Sequence, residues 1–91
     1  MYSSQTETSA DNSSDVSFKV SPRTVNHQIQ IQTSGTVTAG TASVSCDSQT
    51  ISGEIALTSP APMILEGSFS TISVSPDSFD GDSFTATLRS W

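Results

Sequence analysis

The chain has 91 residues, 20 of them Ser and 12 Thr, and it sets 9 acidic side chains against 3 basic ones for a formal net charge of -6. Three cations cannot neutralise a run of phosphates or dock on anionic lipid, which excludes nucleic acid and membrane surfaces as partners. One Cys and one His exclude an internal disulfide and a zinc site, and no cofactor is expected.

Residues 1–15, MYSSQTETSADNSSD, carry Glu7, Asp11 and Asp15 with almost no apolar side chain. Such a segment buries too little surface to offset about 1–2 kcal/mol of backbone ordering per residue. It reads as a flexible N-terminal arm in front of one domain over residues 16–91. The start lacks the basic and apolar regions of a secretory signal, so the expectation is synthesis and release in the cytosol. The hydroxyl-rich, Lys-poor composition suits a protein that later faces outward. A virus particle, assembled in the host cytoplasm, reconciles the two.

From residue 16 the pattern has period two. Val16, Phe18 and Val20 alternate with polar residues until Ser21-Pro22. Val25, His27, Ile29 and Ile31 share a face whose reverse is the amide stripe Asn26, Gln28, Gln30 and Gln32. Val37 and Ala39 share the next face, and Ala42, Val44 and Cys46 the one after. The phase slips at Gly40, which predicts a bulge or tight turn there. Residues 47–49 read as a loop. Ile51, Ile55 and Leu57 form another strand, ended by Ser59-Pro60-Ala61-Pro62. Met63-Ile64-Leu65 is a short apolar run. Phe69, Ile72 and Val74 follow, and Asp80-Gly81 is a hairpin-turn signal. Phe84, Ala86 and Leu88 form the last strand, with Ser83, Thr85, Thr87, Arg89 and Trp91 on its other side. No window has helical periodicity, and β-branched residues dominate. The chain is expected to be all-β: a small antiparallel β-sandwich or barrel of about six to eight short strands with the N-terminal arm attached.

The candidate sites are few. His27 falls in phase with Ile29 and Ile31 and reads as a structural histidine at a strand end. Cys46, in phase with Val44, reads as a small core residue. Asp77, Asp80 and Asp82 cluster around Gly81 and could offer oxygen ligands to Ca²⁺, but the spacing is not that of an EF-hand loop. Paired catalytic carboxylates would have to come from Asp47, Glu54, Glu66 or the 77–82 loop, nothing in the sequence encloses a cleft, and enzyme activity is not expected. Sugar binding wants exposed aromatic platforms, and only Tyr2 and Trp91 lie outside the apparent core. Partner contacts are expected at Tyr2, Glu7 and Asp11 of the arm and at Arg89 and Trp91 of the last strand.

Three segments carry a resemblance: GTVTAGTASVS over 35–45, GSFSTISVSP over 67–76 and FDGDSFTATL over 79–88. Across residues 25–91 the chain resembles small β-sandwich virion proteins of tailed bacteriophages. The resemblance implies a non-enzymatic, multicopy particle component and transfers no functional residue. The leading expectation is therefore a structural virion protein, a capsid cement or decoration protein that bridges neighbouring capsid subunits. A phage tail or head–tail connector component is the alternative, and a small adhesion or carbohydrate-binding module the second. The expected partners are other virion proteins, either the major capsid protein or tail and connector proteins, together with further copies of the chain in a homo-oligomer.

Overall fold

The computed structural model describes residues 3–91, apart from the side chain of Ser52. They form eight β-strands: β1 (Ser3–Thr8), β2 (Val16–Lys19), β3 (Asn26–Ser34), β4 (Thr41–Cys46), β5 (Gln49–Ala56), β6 (Met63–Glu66), β7 (Thr71–Asp77) and β8 (Ser83–Ser90). One sheet has the order β1-β8-β3-β6 and the other β2-β7-β4-β5, with every pairing antiparallel. The expected small antiparallel β-sandwich is the observed fold.

The strand pairs nest. β4 pairs with β5, β3 with β6, β2 with β7 and β1 with β8. The described residues thus form one long hairpin, bent back so that its halves stack as two sheets. Every connection except β4–β5 passes from one sheet to the other. This is the jelly-roll arrangement of eight strands in two sheets. The hairpin turns at Asp47 and Ser48, both at positive φ (50° and 69°), as a two-residue hairpin loop with right-handed twist requires. Neither residue is Gly, and tertiary contacts hold the turn. The Asp47 carboxylate accepts hydrogen bonds from the Ser70 and Thr71 amides at 3.0 and 2.9 Å.

Alternation decides what is buried. Val16 and Phe18 of β2, Ile29 and Ile31 of β3, and Ala42, Val44 and Cys46 of β4 point between the sheets. So do Ile72 and Val74 of β7 and Phe84, Ala86 and Leu88 of β8. Val20, Ile55, Leu57, Leu65 and Phe79 complete the core. The molecule measures 38 × 22 × 20 Å.

Several expectations are corrected. Residues 3–8 of the predicted arm are strand β1, in register with β8 from Ser3↔Ser90 to Thr8↔Thr85. An arm without apolar side chains can join a sheet because its main chain supplies the hydrogen bonds and threonines pair across the strands. The Thr8–Thr85 hydroxyls lie 3.0 Å apart. Ser9 closes β1: its amide donates to the Phe84 carbonyl and its hydroxyl accepts from the Phe84 amide, both at 2.9 Å. Val25, expected in the core, is 51% exposed just ahead of β3. Val37 and Ala39 lie in the loop that crosses between the sheets, not in a strand. Asp80-Gly81 is not a hairpin turn, because β7 and β8 belong to different sheets. Gly81 is required by crowding instead: a Cβ there would lie 2.5 Å from the Phe79 ring and 2.9 Å from the Ser34 carbonyl oxygen. Gly40, where the phase slips, packs on the backbone of Phe79, whose Cα would lie 2.7 Å from an added Cβ.

Leu88 is 1% exposed, so Leu88→Ala is expected to cost about 3 kcal/mol in urea unfolding. Thr87→Ala, on the outer side of the same strand, is expected to cost under about 0.5 kcal/mol.

Candidate functional site

His27 and Ser90 form a polar pair in the interior. His27 and Ser90 face each other across β3 and β8, and His27 Nδ1 lies 2.8 Å from Ser90 Oγ. His27 Nε2 lies 2.9 Å from the Gly67 carbonyl oxygen. A carbonyl only accepts, so Nε2–H donates to it and Nδ1 of the neutral ring accepts the Ser90 hydroxyl proton. Phe69 tilts against the ring with centroids 5.4 Å apart. The His–Ser spacing suits a base and a nucleophile, but His27 is 0% and Ser90 1% exposed. No substrate reaches either group. The pair instead fastens the β6–β7 loop to the middle of a sheet.

The carboxylates of the β7–β8 loop do not converge. Among the described residues, no group of three or more His, Cys, Asp or Glu is placed to hold a metal ion. Asp77, Asp80 and Asp82 are therefore not assembled as a calcium site. Asp80 is committed to the β3–β4 loop: Oδ1 accepts from the Thr38 and Ala39 amides at 2.9 and 3.1 Å, and Oδ2 accepts from the Thr38 hydroxyl. These three bonds, the Thr38 hydroxyl foremost, hold the Asp80 carboxyl below its ordinary value of 3.8. Asp82 sits against Gly35, and its amide donates to the Ser34 carbonyl at 2.9 Å. Cys46 is buried, and burial first, then the neighbouring Asp47 charge, pushes its thiol up. A thiol held protonated is a poor nucleophile.

What the fold presents to solvent is its two outer faces. On the first sheet, register and alternation set Thr8, Thr85 and Gln32 in one row and Thr6, Thr87 and Gln30 in the next. Ser4, Arg89, Gln28 and Ile64 form a third row, and Trp91 and Glu66 flank Asn26 at the sheet end. On the second sheet Ser17, Ser73, Ser45 and Thr50 form a row, with Ser17–Ser73 hydroxyls 3.1 Å apart and Ser45–Thr50 hydroxyls 3.4 Å apart. An open recess of about 340 Å³ beside β5 and β6 is lined by Glu54, Ile55, Ala56, Ser59, Ala61, Pro62 and Met63. It lacks convergent donors or titratable pairs.

The residues expected to make partner contacts fall in two places. Glu7 lies near the end of β1, and Asp11 lies in the β1–β2 loop. The Asp11 carboxylate is held below its usual range, chiefly by the Ser13 amide and then by the Ser14 and Ser13 hydroxyls. Arg89 and Trp91 lie at the opposite end, on the outer face of the first sheet. Tyr2 is outside the described residues. Gln28 and Asn26 share that face with Trp91 and were not singled out individually. The period-two amide stripe was their only signal, since a register is needed to bring them beside another strand.

No family model matches the chain, and no curated protein matches it. Solved structures share its fold. A de novo designed double-stranded β-helix superposes with a TM-score of 0.52 at 12% identity, covering 98% of this chain and 99% of that one. A subunit of Bacillus endospore appendages, described as disulfide-linked pili, gives 0.52 at 11% identity over 99% and 86% of the two chains. The CBM36-1 domain of a multidomain xylanase from the hindgut metagenome of Trinervitermes trinervoides gives 0.52 at 11% over 92% and 75%. At these identities the likeness is one of fold.

Ser90→Ala leaves His27 Nδ1 buried without a partner and is expected to lower unfolding free energy by about 1–3 kcal/mol in urea melts. Asp80 has a depressed folded-state pKa, so its contribution is present above the unfolded value of 3.8 and is lost as pH falls through the folded one. Asp80→Asn is expected to lower Tm at neutral pH. Because it removes the ionisable group, the variant loses less Tm than the parent on acidification from about pH 5 to about pH 2.

Proposed function

We propose that the protein is a structural component of a particle, acting by contact and not by catalysis. In the reading that its sequence supports best, it is a capsid cement or decoration protein that bridges neighbouring capsid subunits. The observation that carries this is the surface of the sandwich: aligned rows of Ser, Thr and Gln on outer faces with few charges. Hydroxyl and amide groups make hydrogen bonds that salt screens less than it screens ion pairs. Many weak contacts of this kind, repeated by particle symmetry, add up through avidity. The edge strands β5 and β6 each have one side unpaired within the described chain, and such edges extend a partner's sheet through main-chain bonds. The buried His27–Ser90 pair is spent on holding the β6–β7 loop to the sheet.

A second reading, a carbohydrate-binding module, is favoured by one local feature. Trp91 is 43% exposed and shares its outer face with Arg89, Gln28, Asn26 and Glu66. An aromatic platform ringed by planar polar groups suits a pyranose, whose carbon–hydrogen face stacks and whose hydroxyls need donors and acceptors. One neighbour by fold is described as a carbohydrate-binding domain.

Quantitative mass spectrometry of purified particles separates these readings. The expected result is hundreds of copies per particle, located on the shell. About a dozen copies at one vertex would move the role to a tail or connector. Absence from particles would end the virion reading, and glycan-array binding by the isolated protein that Trp91→Ala abolishes would establish the second.

A further inference from the structure

The topology sorts charge along the 38 Å long axis of the molecule. The three cations lie at one end. Lys19 ends β2 opposite Thr71, the first residue of β7. Arg23 is in the β2–β3 loop, and Arg89 is next to last in β8. The large hydrophobic side chains that are exposed gather at this end or just inside it: Val25 at 51%, Ile64 at 59% and Trp91 at 43%. Asp47 and Glu66 are also here, so the side chains of this end sum to +1, against the uncompensated acids of the other. The other end, formed by the β1–β2 and β7–β8 loops, carries Asp11, Asp15, Asp77, Asp80 and Asp82 without a cation.

An exposed Trp beside Arg and aliphatic side chains is the composition of an interface hot spot. Its occupant follows from charge. The chain's own opposite end is acidic, so a second copy presents the complementary surface, whereas two acidic ends repel. We infer that the protein self-associates head to tail, the Arg23–Arg89–Trp91 end of one copy docking on the Asp77–Asp82 end of the next. Such a contact is heterologous, and joining opposite ends of the long axis it adds subunits one after another. The 22 × 20 Å cross-section is small against the ~800 Å² per partner of a stable complex. The association is accordingly weak, reversible and controlled by salt. This inference goes beyond the particle role: it names a second copy as partner, and it stands or falls on the isolated protein whatever the particle analysis finds.

Sedimentation of the full chain up to about 1 mM tests it. The expected result is a mass that grows with concentration at about 20 mM salt and returns to the monomer at about 500 mM, where charges more than a few ångströms apart are screened. Trp91→Ser weakens association about tenfold. Arg23→Glu with Arg89→Glu, and separately Asp77→Lys with Asp82→Lys, each give a monomer with a cooperative melt. Mixing the two variants restores association, because the reversed ends complement each other. A monomer at every concentration in low salt overturns the proposal. So does growth that salt does not affect, or a mixture of folded variants that stays monomeric. Should a reversed variant fail to fold, the salt series and Trp91→Ser decide the question on the native charges.

Discussion

Everything in this molecule depends on how one long antiparallel ribbon satisfies its main chain while hiding one of its faces. The ribbon turns at Asp47–Ser48, and each strand pair brackets the one inside it, out to β1 against β8. A flat ribbon would leave its apolar side in water. Bending it back stacks the two sheets and adds the pairings β3–β8 and β4–β7 that knit each sheet together. The turn uses two residues at positive φ that are not Gly, and the Asp47 carboxylate offsets their strain by binding the strand that returns beside them.

The rest of the polar chemistry serves this winding. Each crossing between sheets leaves loop amides to satisfy, and short side chains do so. Asp80 pins the β3–β4 loop, Ser9 ends β1 on Phe84, and His27 ties the β6–β7 loop to β8. Among the described residues, no buried side-chain nitrogen or oxygen lacks a partner. Groups that resemble a nucleophile, a base and a metal cage are thus occupied in construction. What is left free to act is the exterior, where Thr, Ser and Gln stand in rows.

The same winding organises charge. In a nested hairpin the loops alternate between the two ends of the sandwich, so residues far apart in sequence meet at one end. Asp11 and Asp15 come beside Asp77 and Asp82, while Lys19, Arg23 and Arg89 come to the far end. A net charge of -6 spread evenly would oppose any contact between copies; sorted by end, it favours one orientation of contact over the others.

The period-two runs made the strands, the sandwich and most of the core legible, because alternation is a local consequence of the pleat. His27 and Cys46 were readable as interior residues for the same reason. Asp77, Asp80 and Asp82 are close in sequence without converging, and Asp80-Gly81 lies in a loop that crosses between the sheets and not in a hairpin turn. Asp80 in fact bonds to residues about forty positions away, and Gly81 answers to the bulk of Phe79. At Val25 and at Val37–Ala39 the alternation runs on past the ends of real pairing. Composition counts apolar side chains and so marks the N-terminal segment as free, whereas β1 is held by main-chain bonds to β8. The sequence by itself thus determined which residues face inward along each strand. Strand partners, the two ends and the surface rows were decided only by the tertiary structure, because register and sheet order are properties of pairs of segments that no single segment encodes.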